Sequence, residues 1–317
     1  EGVILPSFTW ISTANVVEQL GGKPIFCDID LNTYNIDIEE IEKKITKKVK
    51  YILPVHLFGL PCDMDKILAI SKKYNLKIVE DAACAIGSKY KNRHVGNFGD
   101  SGCFSLHPRK LITTGEGGVI TVNSKKLNYL LRVLRDHGAE ITDLSRHKSS
   151  EPYKLTDHVE AGYNFRLTDI QASIGNDQLI NFNKILDKRR RNASIYDEYL
   201  KDLYWIKTPL NNKDYYNSYQ SYPCLFRPET ITLKNLNKIN KLRNNIMKKL
   251  FEKNISTRPA THAIHLLNFY KKKYEIKPKS YKNSYIANHC TLSLPLYNGI
   301  SEKELEFVVT NLKKAFI

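Results

Sequence analysis

Two stretches of this 317-residue chain collect residue types able to do chemistry. One is Val79-Glu80-Asp81-Ala82-Ala83-Cys84, an apolar run that ends in acids and then in small residues. The other runs from Ser105 through His107, Arg109 and Lys110 to Gly115, Gly117 and Gly118, a polar, glycine-rich turn with a lysine near its centre. A lysine amine, a carboxylate, hydroxyls and free backbone amides are what pyridoxal phosphate chemistry needs. The amine forms a Schiff base with the cofactor, the carboxylate keeps the pyridine nitrogen protonated, and hydroxyls and amides hold the phosphate. Lys110, Asp81, Ser105 and the turn supply these, and Trp10 is a flat group able to stack on a ring. Each residue also has a blander use. An Asp ending a strand caps a helix, a turn lysine is solvated, glycines between strands make a hairpin, and a Trp fills a core. Spacing alone leaves these readings open.

The elements around the two stretches alternate between strand and helix. Residues 3–5, 24–27, 51–55 and 76–80 are apolar runs of strand length. Between them, residues 9–20, a segment opening at 36–41 with Asp37 as N-cap, and residues 63–74 carry helical patterns. That rhythm predicts a mostly parallel sheet with helices on both faces, which binds its ligand at the carboxyl ends of its strands. Two more strands, 102–106 and 119–122, follow without a helix between them, and a helix starts after Ser124. Residues 139–165 read as polar loop, and 167–199 as strongly helical, with Leu179, Phe182, Ile185 and Leu186 on its apolar face and a charged run at 188–191. Past residue 200 the texture changes. A Tyr- and Asn-rich segment precedes a strand at 222–226, a basic helix with Leu236, Ile239, Leu242, Ile246 and Leu250 facing inward, and a last helix at 301–316. The expected domains are a large one over 1–200 and a smaller α+β one over 201–317.

Hydrophobic residues make up 42% and charged residues 26%, which excludes a disordered chain. No apolar run reaches the roughly 18 residues of a membrane helix, and the first residues lack the basic region and cleavage site of a secretory signal. The net charge of +16 by itself favours an anionic partner. Lysine far outnumbers arginine, however, whereas folded nucleic-acid binders lean on arginine forks. The excess therefore reads as compositional bias and the basic helix as a solvated lysine face, with neither nucleic acid nor membrane expected as partner. Cys27, Cys62, Cys84, Cys103, Cys224 and Cys290 form no C-x-x-C pair. That argues against zinc and a disulfide framework and for a reducing cytoplasm.

Four stretches carry a family resemblance: the run from Pro6 through Trp10 to Asn15, the run from Glu80 to Cys84, the run from His107 to Gly118, and Gly162-Tyr163-Asn164-Phe165-Arg166-Leu167. With Pro54-Val55-His56-Leu57-Phe58-Gly59 and Ser293-Leu294-Pro295-Leu296, they resemble the DegT/DnrJ/EryC1/StrS family of nucleotide-sugar aminotransferases. The order is that of the family, and the likeness spans essentially the whole chain. The resemblance implies fold type I, a three-layer α/β/α large domain with a smaller C-terminal domain, and pyridoxal 5′-phosphate as cofactor. It implies Lys110 as Schiff-base lysine and proton shuttle, Asp81 on the pyridinium nitrogen, Ser105 on the phosphate and Trp10 on the ring. Cys84 stands where many relatives have Gln beside the cofactor. Asn164 matches an Asn that reaches the phosphate from a neighbouring subunit, which implies a homodimer with shared sites. The segment from Thr257 to His265 resembles one that approaches the sugar nucleotide, with Arg258 and His265 as substrate candidates. The family's N-terminal Ser-Gly-Thr phosphate turn does not occur here, so the large domain is expected to lack its first portion in this chain.

The activity so implied is transfer of an amino group from L-glutamate to a keto carbon, preferably C4, of a nucleotide-linked sugar. Two alternatives stand beside it. Pyridoxamine-dependent sugar dehydratases resemble these enzymes but commonly replace the lysine with His, and Lys110 is present. A non-catalytic basic binding or regulatory protein is the other.

Overall fold

The computed structural model describes residues 1–141, 143–148 and 150–316. Six strands form the main sheet: β1 (Gly2–Pro6), β2 (Lys23–Cys27), β3 (Val49–Ile52), β4 (Lys77–Asp81), β5 (Ser101–Ser105) and β6 (Gly118–Val122), in the order β2-β1-β3-β4-β5-β6. All pairs are parallel except β5 with β6. Helices Ser12–Gln19, Ile38–Lys44 and Met64–Tyr74 make the crossovers. The strand order reverses between β1 and β3, and such sheets bind ligands outside the carboxyl ends of their strands. This is the α/β sheet that the strand–helix rhythm predicts.

Local chemistry sets the element ends. Asp37 caps its helix by accepting from the Glu39 amide, while Glu40 pairs with Lys43 at 2.8 Å instead of closing a capping box. Asp63 caps the next helix through the Lys66 amide, and Asn75 ends it in the left-handed conformation. The first helix starts at Ser12, later than its sequence pattern suggests, because Phe8 and Thr9 are drawn into a short antiparallel ladder with Ala263 and His262.

The helical stretch at 167–199 is two helices, Asp169–Ile180 and Phe182–Leu200, divided at Asn181. Thr168 and Gln171 form a reciprocal capping box at the start of the first. Of the expected apolar face only Leu186 is buried, and Leu179 is exposed. The second helix buries Arg189, Asn192, Ala193, Tyr196 and Leu200 as well, so part of the charged run at 188–191 faces inward. Ala193, Tyr196 and Leu200 belong to the second core. That core packs a three-stranded antiparallel sheet (Ile206–Lys207, Tyr222–Phe226, Thr291–Leu294) against helices Leu236–Phe251 and Glu302–Phe316. On helix Leu236–Phe251 the buried positions step through Leu236, Ile239, Arg243, Ile246 and Leu250. Arg243 takes the place expected of Leu242 and donates to the Thr291 carbonyl at 2.5 Å.

The segment around 263–287 returns to the first core: Ala263, Ile264, Tyr270 and Ala287 pack with Leu5, Phe8 and Phe26. Asp28, just past β2, caps helix Lys282–Cys290 by accepting from the Asn283 and Ser284 amides, each at 2.8 Å. The C-terminal part is thus tied to the rim of the main sheet. All six cysteines are free. Among the described residues no helix is long and apolar enough to cross a membrane.

Candidate functional site

Asp81 is the last residue of β4 and pairs with Cys103 of β5, and Ser105, two residues further along, closes β5 on the same face. The Asp81 backbone is fixed on both sides: its amide donates to the Pro54 carbonyl at 2.9 Å and its carbonyl accepts from the His56 amide at 3.0 Å. Its half-buried carboxylate accepts from Thr13 Oγ1 at 2.8 Å and from the Ala83 amide at 3.1 Å, which leaves lone pairs to spare. Ser105 Oγ accepts from the His107 amide at 3.3 Å.

The turn carrying Lys110 is internally braced. Thr113 Oγ1 donates to the Leu106 carbonyl at 2.8 Å, the Thr114 amide donates to the same oxygen at 3.0 Å, and the Lys110 amide donates to the His107 carbonyl at 2.9 Å. Gly117 has φ +152°, and a Cβ there would lie 2.6 Å from Thr114 Oγ1, so the turn needs glycine at that position. Lys110 Nζ donates to Cys84 Sγ at 3.2 Å. Burial raises the Cys84 thiol pKa, outweighing the nearby Lys110 charge that lowers it, and Asp81 adds to the rise. Cys84 is therefore a neutral thiol at neutral pH, a contact for the amine and not a nucleophile.

Glu80, whose side chain alternates to the other face from Asp81, is fully buried. Its carboxylate accepts four hydrogen bonds: from His56 Nε2 at 2.9 Å and from the amides of Gly96, Phe98 and Gly99 at 2.7 Å each. His56 Nδ1 accepts from the Cys62 amide at 3.0 Å, so the ring proton is assigned to Nε2, facing Glu80. Burial pushes the Glu80 carboxyl up, but the His56 contact and the Gly99 and Gly96 amides outweigh it and hold it below its ordinary value. The loop at 96–99 lies directly on β5, where a Cβ on Gly102 would sit 2.3 Å from the Gly96 Cα. The sequence flags Glu80 only by its place beside Asp81. A buried carboxylate with loop amides for partners leaves no mark on spacing.

A cleft of about 480 Å³ opens beside this turn. Lys110 and Arg109 line it from the turn, Arg189 from helix Phe182–Leu200, and Arg258 from the C-terminal part. Arg258 is placed there by its carbonyl, which accepts from the Ser293 amide at 2.8 Å. Lys110 and Arg258 thus share one cleft. Trp10 is 59% exposed and is not among the lining residues, and the ring beside it is that of His262, at 5.8 Å. His265 does not line the cleft: it is fully buried, its Nε2 faces the Pro278 carbonyl at 2.9 Å, and burial lowers its pKa. His262, which sequence reasoning passed over, sits opposite Thr9 in the ladder and so beside Trp10. Asn164 is exposed and bridges to Asp136, and its two chain neighbours, Tyr163 and Phe165, stack their rings on one another at 4.8 Å.

A carboxylate with free lone pairs and a hydroxyl at the carboxyl ends of adjacent parallel strands, with a lysine amine in the turn that follows, form a donor set that fits pyridoxal phosphate. Among the described residues no cluster of His, Cys, Asp or Glu could hold a metal ion.

The model of the DegT/DnrJ/EryC1/StrS aminotransferase family matches residues 1–313. The chain is 32% identical over 314 residues to a GDP-perosamine synthase of Escherichia coli O157:H7, covering 99% of this chain and 79% of that one. Among solved structures it is similar to the Helicobacter pylori aminotransferase PseC, involved in pseudoaminic acid biosynthesis, with a TM-score of 0.89 at 26% identity over 99% of this chain and 79% of that one. It is equally similar to the PMP form of the putative sugar aminotransferase Spr1654 of Streptococcus pneumoniae, with a TM-score of 0.89 at 26% identity over 100% of this chain and 82% of that one.

Proposed function

The chain belongs to the DegT/DnrJ/EryC1/StrS aminotransferase family and is a pyridoxal-phosphate-dependent sugar aminotransferase, and from that premise we propose that it moves the amino group of L-glutamate to C4 of a nucleotide-linked keto-sugar. The observation that carries this reading is that Asp81 and Ser105 end two adjacent strands while the Lys110 amine reaches Cys84, three residues past Asp81. Bound pyridoxal 5′-phosphate supplies the electron sink for the reacting carbon.

The residues have separate tasks in this reading. Asp81, held by Thr13 and Ala83, offers its remaining lone pairs to the cofactor's ring nitrogen. Ser105 would offer its hydroxyl to the phosphate. Trp10 would cover the ring, and Cys84 keeps the Lys110 amine in place. Lys110 Nζ takes a proton from the donor's Cα in the first half-reaction and returns one to the sugar carbon in the second, a positioned proton transfer worth about 10² to 10⁴ in rate. Arg258 faces the substrate from the smaller domain, which we place at 201–317 beside a cofactor-binding domain at 1–200. The buried His265 is left to fix the 278 turn.

The partner of the chain in this reading is a second copy of itself. Ile170 and Ile180 are 76% and 83% exposed on helix Asp169–Ile180, and Val119, Ile120, Tyr163 and Phe165 are exposed as well. Exposed apolar side chains in such number favour a protein partner. Asn164 lies between two of these residues, in keeping with a role across the interface.

The test is an assay of the purified protein with L-glutamate and a panel of nucleotide-linked 4-keto and 3-keto sugars. Formation of 2-oxoglutarate with a 4-keto sugar is expected. Turnover of 3-keto sugars alone would move the reaction to C3, and loss of water from the sugar without 2-oxoglutarate would replace amino transfer by dehydration.

A further inference from the structure

The cleft at Lys110 is walled by cations and lacks their partners. Arg109, Arg189 and Arg258 join Lys110 in it, and no Asp or Glu lines it. Arg166 and Arg191 have carboxylate partners in Asp136 and Glu302. Among the described residues Arg109, Arg189 and Arg258 have none within ion-pair distance. Arg189 is 5% exposed. It donates through Nη1 to the Tyr219, Gln220 and Leu296 carbonyls and through Nε and Nη2 to Asn298 Oδ1, at 3.1 to 3.4 Å. Every one of these acceptors is neutral. Burial lowers its pKa to about 10, which still leaves it charged at neutral pH. A buried charge without a counter-charge is costly. Stapling the helix to the chain at 219–220 and 296–298 explains the hydrogen bonds of Arg189. It does not explain why two more unpaired arginines face the same volume. The rest of the lining includes hydroxyl and amide groups such as Thr257, Ser293 and Gln178, which suit oxyanions.

We propose that this cleft is the anion-recognition site of the reaction, in which Arg258 and Arg109 meet carboxylate or phosphate oxygens of the substrates and Arg189 is the fixed charge behind them. The inference rests on the amino-transfer reading and adds to it the residues that recognise the charged ends of the reactants. An amino donor brings carboxylates and a nucleotide-linked sugar brings a diphosphate. Guanidinium forks match both. Both reactants must reach the same lysine in turn, so a cationic wall beside it favours either one.

Arg258→Gln and Arg109→Gln sit at exposed positions and are expected to keep the wild-type melting temperature. Calorimetric titration of the holoenzyme with 2-oxoglutarate, and separately with inorganic pyrophosphate, reads the site without turnover. At least one variant should weaken at least one probe about tenfold or more, as loss of a charge-assisted hydrogen bond predicts, and Arg258→Lys should recover part of any loss seen in Arg258→Gln. Loss confined to 2-oxoglutarate assigns the site to the amino donor, loss confined to pyrophosphate assigns it to the diphosphate, and loss of both marks a shared site. Wild-type affinity for both probes in both variants overturns the proposal, as does failure of the unaltered protein to bind either probe. Failure of the amino-transfer reading would look different: no 2-oxoglutarate would form in the assay, while arginine-dependent pyrophosphate binding would persist.

Discussion

The end of β4 and the arginine-lined cleft both border the Lys110 turn, yet they treat polar groups in opposite ways. At Glu80 every donor has found its acceptor: one buried carboxylate takes an imidazole and three loop amides. In the cleft three arginines face a common volume without an acid among its lining residues. Asp81 lies between these extremes, with two donors and room for more. Saturated polar groups hold the chain together, and open ones are left for a ligand. Substitutions on the two sides should therefore fail in different ways.

The largest effect is expected at Lys110. Lys110→Ala should lower amino transfer by about 10² to 10⁴-fold with little change in melting temperature, because the Nζ has Cys84 as its contact. Rate and thermal melt measured together check this, and a matching fall in stability would break the contrast. Glu80→Ala should behave in reverse. It leaves His56 and three amides without their acceptor, so a loss of about 3–5 kcal/mol in denaturant unfolding is expected. A milder probe of the same carboxylate is pH. Its pKa is lower in the folded than in the unfolded chain, so the unfolded state binds more protons in acid. Its contribution is complete above the unfolded carboxylate range near about 4.3 and is lost as pH falls through the folded value. Melting temperatures followed downward in pH should show an acid limb that flattens in Glu80→Gln. The smallest effect on the folded chain is expected at Ile174, exposed on helix Asp169–Ile180. Ile174→Asp should change stability of the isolated chain by only about 0.5 kcal/mol while weakening self-association in sedimentation. Unchanged association would remove that face as the interface.

The main sheet and the crossover helices were legible because their signals are local: apolar runs of strand length, Asp at helix starts, and a turn rich in glycine. What escaped depends on contacts far apart in the chain. Arg189 lies in a run of four basic residues that reads as a solvated face, and only the carbonyls of Tyr219, Gln220 and Leu296 draw it inward. His262 and His265 are indistinguishable as residue types. The ladder with Phe8 and Thr9 sets His262 beside Trp10, while His265 turns to Pro278. Leu179 fits the helical period of Leu186, but the break at Asn181 rotates the two helices out of register. For the site, the sequence placed Asp81, Lys110 and Ser105 in plausible stretches, and family likeness gave them roles. The strand register of Asp81 with Cys103 sets Ser105 two residues further along the neighbouring strand.

The assignment of Lys110 as the cofactor's amine is tested most directly by borohydride reduction of the holoenzyme followed by peptide mass mapping. The expected result is a pyridoxyl mass on the peptide that contains Lys110. A label on a different lysine, or none on a protein saturated with pyridoxal 5′-phosphate, would contradict it.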